Sequence, residues 1–245
     1  MPRIPHLRVI IEAEPNAGDW NMAVDEALLQ SAIERDVATL RWYQWSAPTV
    51  SLGYFQKLSE LGEDSELSKL AVVRRLSGGG AIVHDDEFTY SISLPASQRL
   101  FSQPHELYDI IHECIVRGLR QLDIPAELRG TTSKRPDEPL LCFQRKDSHD
   151  VVLGGQKILG SAQRRRRGAI IQHGSLIRRS STIVRQIVGV MDLCDAVLPS
   201  NFAHRLSGLI ADEIADSNSL DRLSEAEFDT ARTFCEEAAK NVLTR

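Results

Sequence analysis

The feature that most constrains the fold is a run of three consecutive glycines, residues 78–80, set between two short apolar segments. Glycine lacks a Cβ, so the run permits backbone angles and close approaches that other residues exclude. The flanking residues 71–75 and 81–84 favour strands, which predicts a tight turn between them. Arg75 stands just before the glycines, and an arginine beside free backbone amides commonly binds a phosphate or carboxylate. The turn therefore predicts a site for an elongated, negatively polarised small molecule.

The same glycines also have an ordinary interpretation, because glycine clusters alone are usually tight turns. The segment fits neither G-x-x-x-x-G-K-[ST] nor G-x-G-x-x-G, the two common phosphate-binding patterns. The sequence therefore gives little support to a nucleotide-binding fold.

Length and charge narrow the possible classes of protein. A chain of 245 residues with 42% hydrophobic content can bury a large core, and we expect a single domain over residues 1–245, with a core at 7–200 and a helical C-terminal extension at 201–245. The net charge of -5 argues against general binding to nucleic acid or membrane surfaces. No segment is apolar enough for a membrane span or signal peptide, which predicts a cytoplasmic protein.

The four cysteines lack paired spacing, so we expect free thiols and no metal site.

The pattern of apolar residues predicts an α+β protein with a strand-rich centre. We expect a hairpin from residues 39–44 and 49–52, a cap at Asp19, an exposed loop at 130–139, a capping box at Ser224 and Glu227, and a helical last third. The predicted strands are 7–11, 39–44, 49–52, 71–75, 81–84, 88–94, 150–153, 156–161 and 169–177, and the predicted helices include 18–35 and 104–122.

Lys157 is the strongest candidate among the polar residues of these strands. It lies in an apolar segment that ends at Gly160, Ser161 and Ala162, so its amine is a candidate for partial enclosure, although most lysines are solvated. His84 and His173 follow apolar strand runs, where a lone histidine is more often structural.

Two further features have both an ordinary and a functional interpretation. Cys142 by itself would be a small buried hydrophobe, but a thiol near an ammonium is stabilised as the reactive thiolate. The run of four arginines at residues 164–167 is either a solvated hairpin tip or a patch that docks an acidic partner.

The joint order of several segments resembles the lipoate-protein ligase and octanoyltransferase superfamily, whose catalytic domain is shared with biotin protein ligases. The similarity covers residues 16–178 or so. It is carried by residues 21–29 (Asn-Met-Ala-Val-Asp-Glu-Ala-Leu-Leu), by 40–43 with 51–56, by the Arg-Arg-x-Ser-Gly-Gly-Gly-Ala run that begins at Arg74, and by 157–163 with 172–175.

This resemblance implies a biotin/lipoate protein ligase-like catalytic domain, with a mixed, mostly antiparallel sheet flanked by helices. It also implies protein lipoylation, in which an octanoyl or lipoyl group reaches a specific lysine of a lipoyl domain. The implied substrate-binding residues are Arg75, Ser77, Gly78, Gly79, Gly80, Ala81, Ile82, Val83, His84, Gly160, Ser161, Ala162, His173 and Gly174, with Leu159 and Ile171 as further apolar lining.

The octanoyltransferase branch is the more similar, because in it a Cys-Phe pair stands upstream of the motif lysine, and Cys142-Phe143 occupies that place. In that branch Cys142 would take octanoate from acyl carrier protein, and Lys157 would favour the thiolate and hold the carbonyl oxygen. The acceptors would be apo lipoyl domains of 2-oxoacid dehydrogenase E2 subunits and the glycine-cleavage H protein. No cofactor is then required.

Two alternatives stay open. Gly80 is more ligase-like, and residues 144–149 replace the stretch that usually follows the Cys-Phe pair. An ATP-dependent lipoate-protein ligase would need ATP and Mg and would work through lipoyl-AMP. A non-catalytic protein that only binds lipoyl domains is the third interpretation.

Overall fold

The computed structural model describes residues 3–62, 65–98, 104–131 and 139–242. The chain forms two sheets flanked by helices, and short 3-10 turns lie at Leu58–Leu61, Glu66–Lys69 and Cys142–Gln144. The strands are β1 (Leu7–Ile11), β2 (Thr39–Tyr43), β3 (Thr49–Leu52), β4 (Ala71–Arg74), β5 (Ile82–His84), β6 (Glu87–Pro95), β7 (Glu127–Leu128), β8 (Val151–Leu153), β9 (Gln156–Arg166), β10 (Ala169–Ile177) and β11 (Asn218–Asp221). The helices are α1 (Gly18–Arg35), α2 (Pro104–Arg120), α3 (Val190–Leu193), α4 (Phe202–Ile214) and α5 (Glu225–Val242).

The large sheet has the strand order β11-β1-β2-β6-β10-β9-β8-β7. Its β11-β1 and β1-β2 pairs are parallel, and the remaining pairs are antiparallel. The small sheet has the order β4-β3-β5, with one parallel and one antiparallel pair. This confirms the predicted mixed, mostly antiparallel sheet.

Helices cover both faces of the large sheet. On one face, α2 and α4 enclose the main core, in which Ile111 and Leu206 pack with Ile92 of β6. On the other face, α1 packs with α5, and the rings of Trp20 and Phe228 lie 5.0 Å apart. The small sheet lies beside α1 on this second face, which leaves a cleft between the two sheets.

Strand alternation decides which residues reach that cleft. Successive side chains of a strand point to opposite faces, so the odd-numbered residues of β6 face α1 while Tyr90 and Ile92 enter the main core. The same alternation in β10 turns His173 and Ser175 toward the cleft. The alternation of side chains along each strand thus separates the residues that face the main core from the residues that face the cleft.

The structure corrects the predicted hairpin. Residues 39–44 and 49–52 do form strands, but β2 pairs with β1 and β6 of the large sheet, whereas β3 pairs with β4 and β5. The connection carries the chain from one sheet to the other, and Trp45 in it bridges back to Asn16.

Other local predictions have mixed outcomes. Asp19 is not the cap of α1, because that position is occupied by Ala17. The Ser224 and Glu227 capping box is confirmed by reciprocal bonds, including Ser224 N to Glu227 Oε2 at 2.9 Å. The last third contains β11 as well as helices, and β11 extends the large sheet by pairing with β1. Most of the predicted loop, residues 132–138, lies outside the described residues.

Candidate active site

The floor of the cleft is a row of four residues that crosses the large sheet. Gly160 of β9 lies opposite Ser175 of β10, Ser175 opposite Thr89 of β6, and Thr89 opposite Tyr43 of β2. All four line the cleft. Neighbouring strands lie about 4.8 Å apart, so the row spans about 14 Å. Gly160 has no side chain and those of Ser175 and Thr89 are small, and His84 of the small sheet reaches this row, with its Nδ1 3.5 Å from Ser175 Oγ.

The small sheet forms the opposite wall. Ser51 of β3 and Ile82 and His84 of β5 line it, with Met22 of α1 and Arg75 beside them.

Strand β5 runs alongside the floor row. At its start, Ala81 bonds to the segment that carries Cys142. At its end, the ring of His84 stacks on Trp45 at 3.8 Å, and Trp45 donates to Thr89 Oγ1 at 2.8 Å. The floor row and β5 therefore run between the same two ends of the cleft. We call these the head end, at Gly160 and Cys142, and the far end, at Thr89 and His84.

The glycine turn is organised by Arg75. This buried guanidinium donates to the carbonyl oxygens of Gly78 at 2.9 Å, Gly80 at 2.6 Å and Ser51 at 2.8 Å. Burial lowers the pKa of Arg75, partly offset by the charge of Cys142. Gly79 has φ +95°, a left-handed conformation that favours glycine. The arginine thus ties the glycine turn to Ser51 of β3.

Cys142 is fixed to the glycine turn through its backbone. The Ala81 N–H donates to Leu140 O at 2.9 Å, and the Cys142 N–H donates to Ala81 O at 2.8 Å. A Cβ on Gly80 would lie 2.6 Å from Leu140 O, so only glycine allows the two segments to approach in this way. The thiol is half-buried and lines the cleft.

Lys157 lies at the same end. Its amine forms a 2.7 Å ion pair with Asp150 and donates to the Cys142 carbonyl at 3.3 Å. A Cβ on Gly160 would lie 2.4 Å from Lys157 Cε and 2.7 Å from Nζ, so the missing side chain of Gly160 makes room for the amine. The structure brings Cys142 and Lys157 together, with the hydrogen bond made to the carbonyl rather than to the sulfur.

Two Ser-His-carboxylate chains support the walls. His84 lies 2.7 Å from Glu87 and 2.7 Å from Ser51 Oγ. His173 Nδ1 lies 3.5 Å from Asp25, and its Nε2 contacts the Ser77 hydroxyl.

Burial outweighs the bond to Asp25 and lowers the pKa of His173. Burial alone would raise the pKa of Asp25, but the His173 bond and the Arg41 charge lower it overall. Asp25 is therefore a carboxylate, and neutral His173 donates to it through Nδ1 and accepts from Ser77.

A third chain lies under Ser161. Tyr90 OH and His112 Nε2 each lie 2.7 Å from Ser161 Oγ, and His112 Nδ1 contacts the His149 carbonyl. Burial outweighs that bond and lowers the pKa of His112 to about 4. The imidazole is therefore neutral at pH 7.

These chains explain how polar residues build an apolar cleft. The hydroxyls of Thr89, Ser51 and Ser161 are bonded within the walls, as is Tyr43 OH to Asp25 at 3.0 Å. With the polar atoms satisfied there, the methyl and methylene groups and the ring faces are left to contact a ligand. The cleft therefore suits an extended hydrocarbon chain with a polar group at the Cys142 end.

The sequence-derived residues do not all line the cleft. Those that do are Arg75, Ile82, His84, Cys142, Gly160, Ser161, Ala162, His173 and Gly174. Ser77, Gly78, Gly79, Gly80 and Ala81 support it from behind Arg75, and Lys157 reaches its head end through Gly160. Val83 lies beside a second, smaller pocket, Leu159 packs in the main core, and Ile171 packs with Leu29 of α1.

Sequence reasoning missed other residues of the cleft. The main ones are Met22, Tyr43, Ser51, Thr89 and Ser175. Met22, Tyr43 and Ser51 lie in segments that carry the family resemblance, which was the available signal. Ser175 also lies in such a segment, residues 172–175, but the position of Thr89 and Ser175 on the floor row comes from strand register.

The arginine run is spread over the sheet rather than gathered at a tip. Arg164 to Arg166 belong to β9, and only Arg167 and Gly168 form the turn. The Arg164 guanidinium lies 4.5 Å from the ring centre of exposed Tyr54, and Arg166 pairs with Glu26. Arg165 and Arg167 are exposed.

The described residues contain neither a metal-binding cluster nor a membrane-spanning helix. Across residues 3–62, 65–98, 104–131 and 139–242, no group of three or more His, Cys, Asp or Glu side chains is placed to hold a metal ion. Over the same ranges, no helix has both the length and the apolar character required to cross a bilayer.

Comparison with known proteins gives a consistent result. Residues 18–194 match the family described as "Lipoyl protein ligase A/B catalytic domain". The "Octanoyltransferase LipM" of Exiguobacterium sp. (strain ATCC BAA-1283 / AT1b) is 37% identical over 177 residues, which cover 68% of this chain and 64% of that protein. The protein of the same name from Carboxydothermus hydrogenoformans is 41% identical over 165 residues, covering 66% and 61%. The chain thus spans somewhat less than two thirds of the length of these relatives.

Solved structures share the fold. A lipoate-protein ligase A bound with ATP has a TM-score of 0.72 at 22% identity, covering 96% of this chain and 95% of its own. A bi-partite lipoate protein ligase from Thermoplasma acidophilum has a TM-score of 0.68 at 21% identity, covering 96% and 93%. These likenesses confirm the expected ligase-like fold.

Proposed function

The chain belongs to the lipoyl protein ligase A/B catalytic domain family, and we propose that it is an octanoyltransferase that modifies lipoyl-domain proteins. The observation that carries this proposal is the head end of the cleft, where Cys142 and the Lys157 amine meet above Gly160. The relatives named octanoyltransferase support the same assignment.

The proposed reaction has two steps. The Cys142 thiolate attacks the carbonyl carbon of an octanoyl thioester on acyl carrier protein; a new C–S bond forms, the C–S bond to the carrier breaks, and the carrier leaves as a thiolate that takes up the proton Cys142 had lost. The ε-amine of a lipoyl-domain lysine then attacks the acyl-enzyme, an amide forms, and the Cys142 thiol is released with the amine proton. An amide is more stable than a thioester, so neither ATP nor a metal ion is needed.

Lys157 has the position required to assist both steps. Its ammonium lies at the head end in a buried setting, where a positive charge stabilises a developing oxyanion more than it would in water. Asp150 pairs with the amine and holds it toward the Cys142 segment. Arg75 is a second buried cation, and it interacts electrostatically with Cys142.

One assay tests the proposal. The purified protein is incubated with an apo lipoyl domain and either octanoyl-acyl carrier protein or lipoate with ATP and Mg, and the domain is weighed by intact mass spectrometry. We expect octanoylation in the first mixture without ATP, its loss in Cys142→Ala, and its retention in Cys194→Ala, the matched control, whose thiol contacts Val190 O on α3.

Other results would overturn the proposal in distinguishable ways. Modification that requires ATP and free lipoate and survives Cys142→Ala would establish the ligase alternative. Lipoyl-domain binding without modification in either mixture would establish the non-catalytic one.

A further inference from the structure

We propose that the floor row of the cleft measures the acyl chain, with Ser175 at its middle and Thr89 at its end. This inference rests on the proposed octanoyl transfer and adds which residues decide chain length. It starts from strand register rather than from any sequence motif.

The head of the chain is fixed at the Gly160 end. Cys142 lines the cleft there, and the Lys157 amine occupies the space that a Cβ of Gly160 would take. A carbonyl held between this thiol and this amine places the first carbon of the acyl group close to Gly160. The rest of the chain then has one direction open to it, along the row toward β2.

The far end of the cleft is closed by side chains that hydrogen bonds and ring stacking hold in place. Thr89 Oγ1 donates to Glu87 and accepts from Trp45, whose ring stacks on His84. Beyond Thr89, the Tyr43 side chain is fully buried. Bonded groups of this kind resist displacement, so a chain that reaches them meets a stop rather than a flexible side chain.

The dimensions match an eight-carbon chain. From Gly160 to Thr89 is two strand spacings, about 10 Å. An extended alkyl chain advances about 1.25 Å per carbon–carbon bond, so an octanoyl group measures about 9 Å from carbonyl to methyl. Its methyl end therefore reaches Thr89, and its fourth or fifth carbon passes over Ser175.

This geometry predicts opposite effects at two positions. Ser175→Val adds bulk at mid-chain and shortens the usable length by about half. Thr89→Ser keeps the hydroxyl for Glu87 and Trp45 but removes a methyl from the far end, which lengthens it slightly. Ser93→Val is the matched control, because Ser93 lies on the same face of β6, is buried, and has a hydroxyl without a hydrogen-bond partner among the described residues.

The experiment compares butanoyl-, hexanoyl-, octanoyl-, decanoyl- and dodecanoyl-acyl carrier protein as donors and measures kcat/KM for each. One methylene in an apolar pocket changes specificity about tenfold or more. We expect Ser175→Val to raise the ratio of butanoyl to octanoyl transfer at least about tenfold, and Thr89→Ser to raise the ratio of decanoyl to octanoyl transfer severalfold. Ser93→Val should keep the wild-type profile.

The outcomes separate the two proposals. If the wild type transfers octanoate but neither variant moves the profile, or Ser93→Val moves it equally, the floor row does not measure the chain. If the wild type transfers no acyl group from any donor, the proposed function itself fails. If Ser175→Val does not fold, the Thr89→Ser profile decides.

Discussion

The amine of Lys157 lies 2.7 Å from the carboxylate of Asp150, and both side chains are at most 5% exposed. A buried ion pair of this kind is costly to break, because the charge left behind has no water to solvate it. Asp150 also accepts from the Asp147 N–H at 2.8 Å and from Arg129 at 3.3 Å. The pair therefore positions the amine and also ties the segment after Cys142 to β9.

Replacing Asp150 with Asn should impair both stability and catalysis. We expect a loss of about 3 kcal/mol in the free energy of unfolding, because Lys157 loses its counter-ion, and a fall in kcat of about a hundredfold. Urea unfolding and single-turnover acylation of Cys142 measure the two effects. The control is Glu66→Gln, which breaks an exposed Lys69 pair and should change stability by less than about 1 kcal/mol. A fully active Asp150→Asn would contradict this role.

Gly160→Ala should displace the Lys157 amine while leaving the fold intact. The new Cβ would lie 2.4 Å from Lys157 Cε, the far part of a flexible side chain that can move away. We expect acyl-enzyme formation to slow at least about tenfold with little change in melting temperature, read by mass spectrometry and calorimetry. Gly208→Ala, which adds a Cβ in open space on α4, should leave the acylation rate unchanged and raise the melting temperature slightly, because alanine favours a helix more than glycine does. Equal rates in the two variants would rule out a steric role for Gly160.

His112 should make the protein less stable as the solution becomes acidic. Its pKa falls from about 6.5 in the unfolded chain to about 4 in the folded one, so the unfolded state binds more protons between these values. This contribution is complete above pH 6.5 and is lost as the pH falls toward 4.

A variant isolates that contribution. His112→Asn keeps a donor for the His149 carbonyl but does not titrate, so the decrease in unfolding free energy from pH 7.5 to 4.5 should shrink by roughly 2 to 3 kcal/mol. Urea titrations at both pH values measure it. His204→Asn, at an exposed position of α4, should retain the wild-type slope, and an unchanged slope in His112→Asn would show that the imidazole is not held neutral.

Arg167→Glu should weaken recognition of an acidic carrier protein. Arg167 is exposed at the turn between β9 and β10, near the strand that carries Gly160, so reversing its charge opposes electrostatic steering. We expect kcat/KM for octanoyl-acyl carrier protein to fall severalfold at low salt and the deficit to shrink at 0.5 M NaCl. Arg222→Glu makes the same charge change beside β11, an edge strand of the large sheet that is four strands away from β10. An identical deficit in both variants would indicate a net-charge effect rather than a docking surface.

Sequence reasoning succeeded where the signal was local. The bounds of β1, α1, β3 and β10 follow from apolar periodicity and agree with the structure. It failed for the hairpin of residues 39–44 and 49–52, since β2 and β3 are buried on both faces and their apolar runs do not reveal which sheet each joins. It also missed β11, an exposed, polar edge strand without alternation.

The head end of the candidate site and several wall residues, among them His84 and His173, were predictable from the sequence, but the floor row was not. Cys142, Lys157 and the glycine turn are recognisable as motifs, but the floor row depends on which strands are neighbours. Thr89 and Ser175 are far apart in sequence and become adjacent only through the β6-β10 register. Their hydroxyls would suggest polar roles, whereas in the fold those groups point into hydrogen-bonded chains.

The cleft lies between two sheets, and its length and its cross-section are determined by different contacts. Length is set by strand register within the large sheet, while the cross-section depends on how the small sheet is held against it, through Ser77 on His173 and Trp45 on His84. The cross-section can therefore change through the contacts between the two sheets while the strand spacing of the large sheet stays the same.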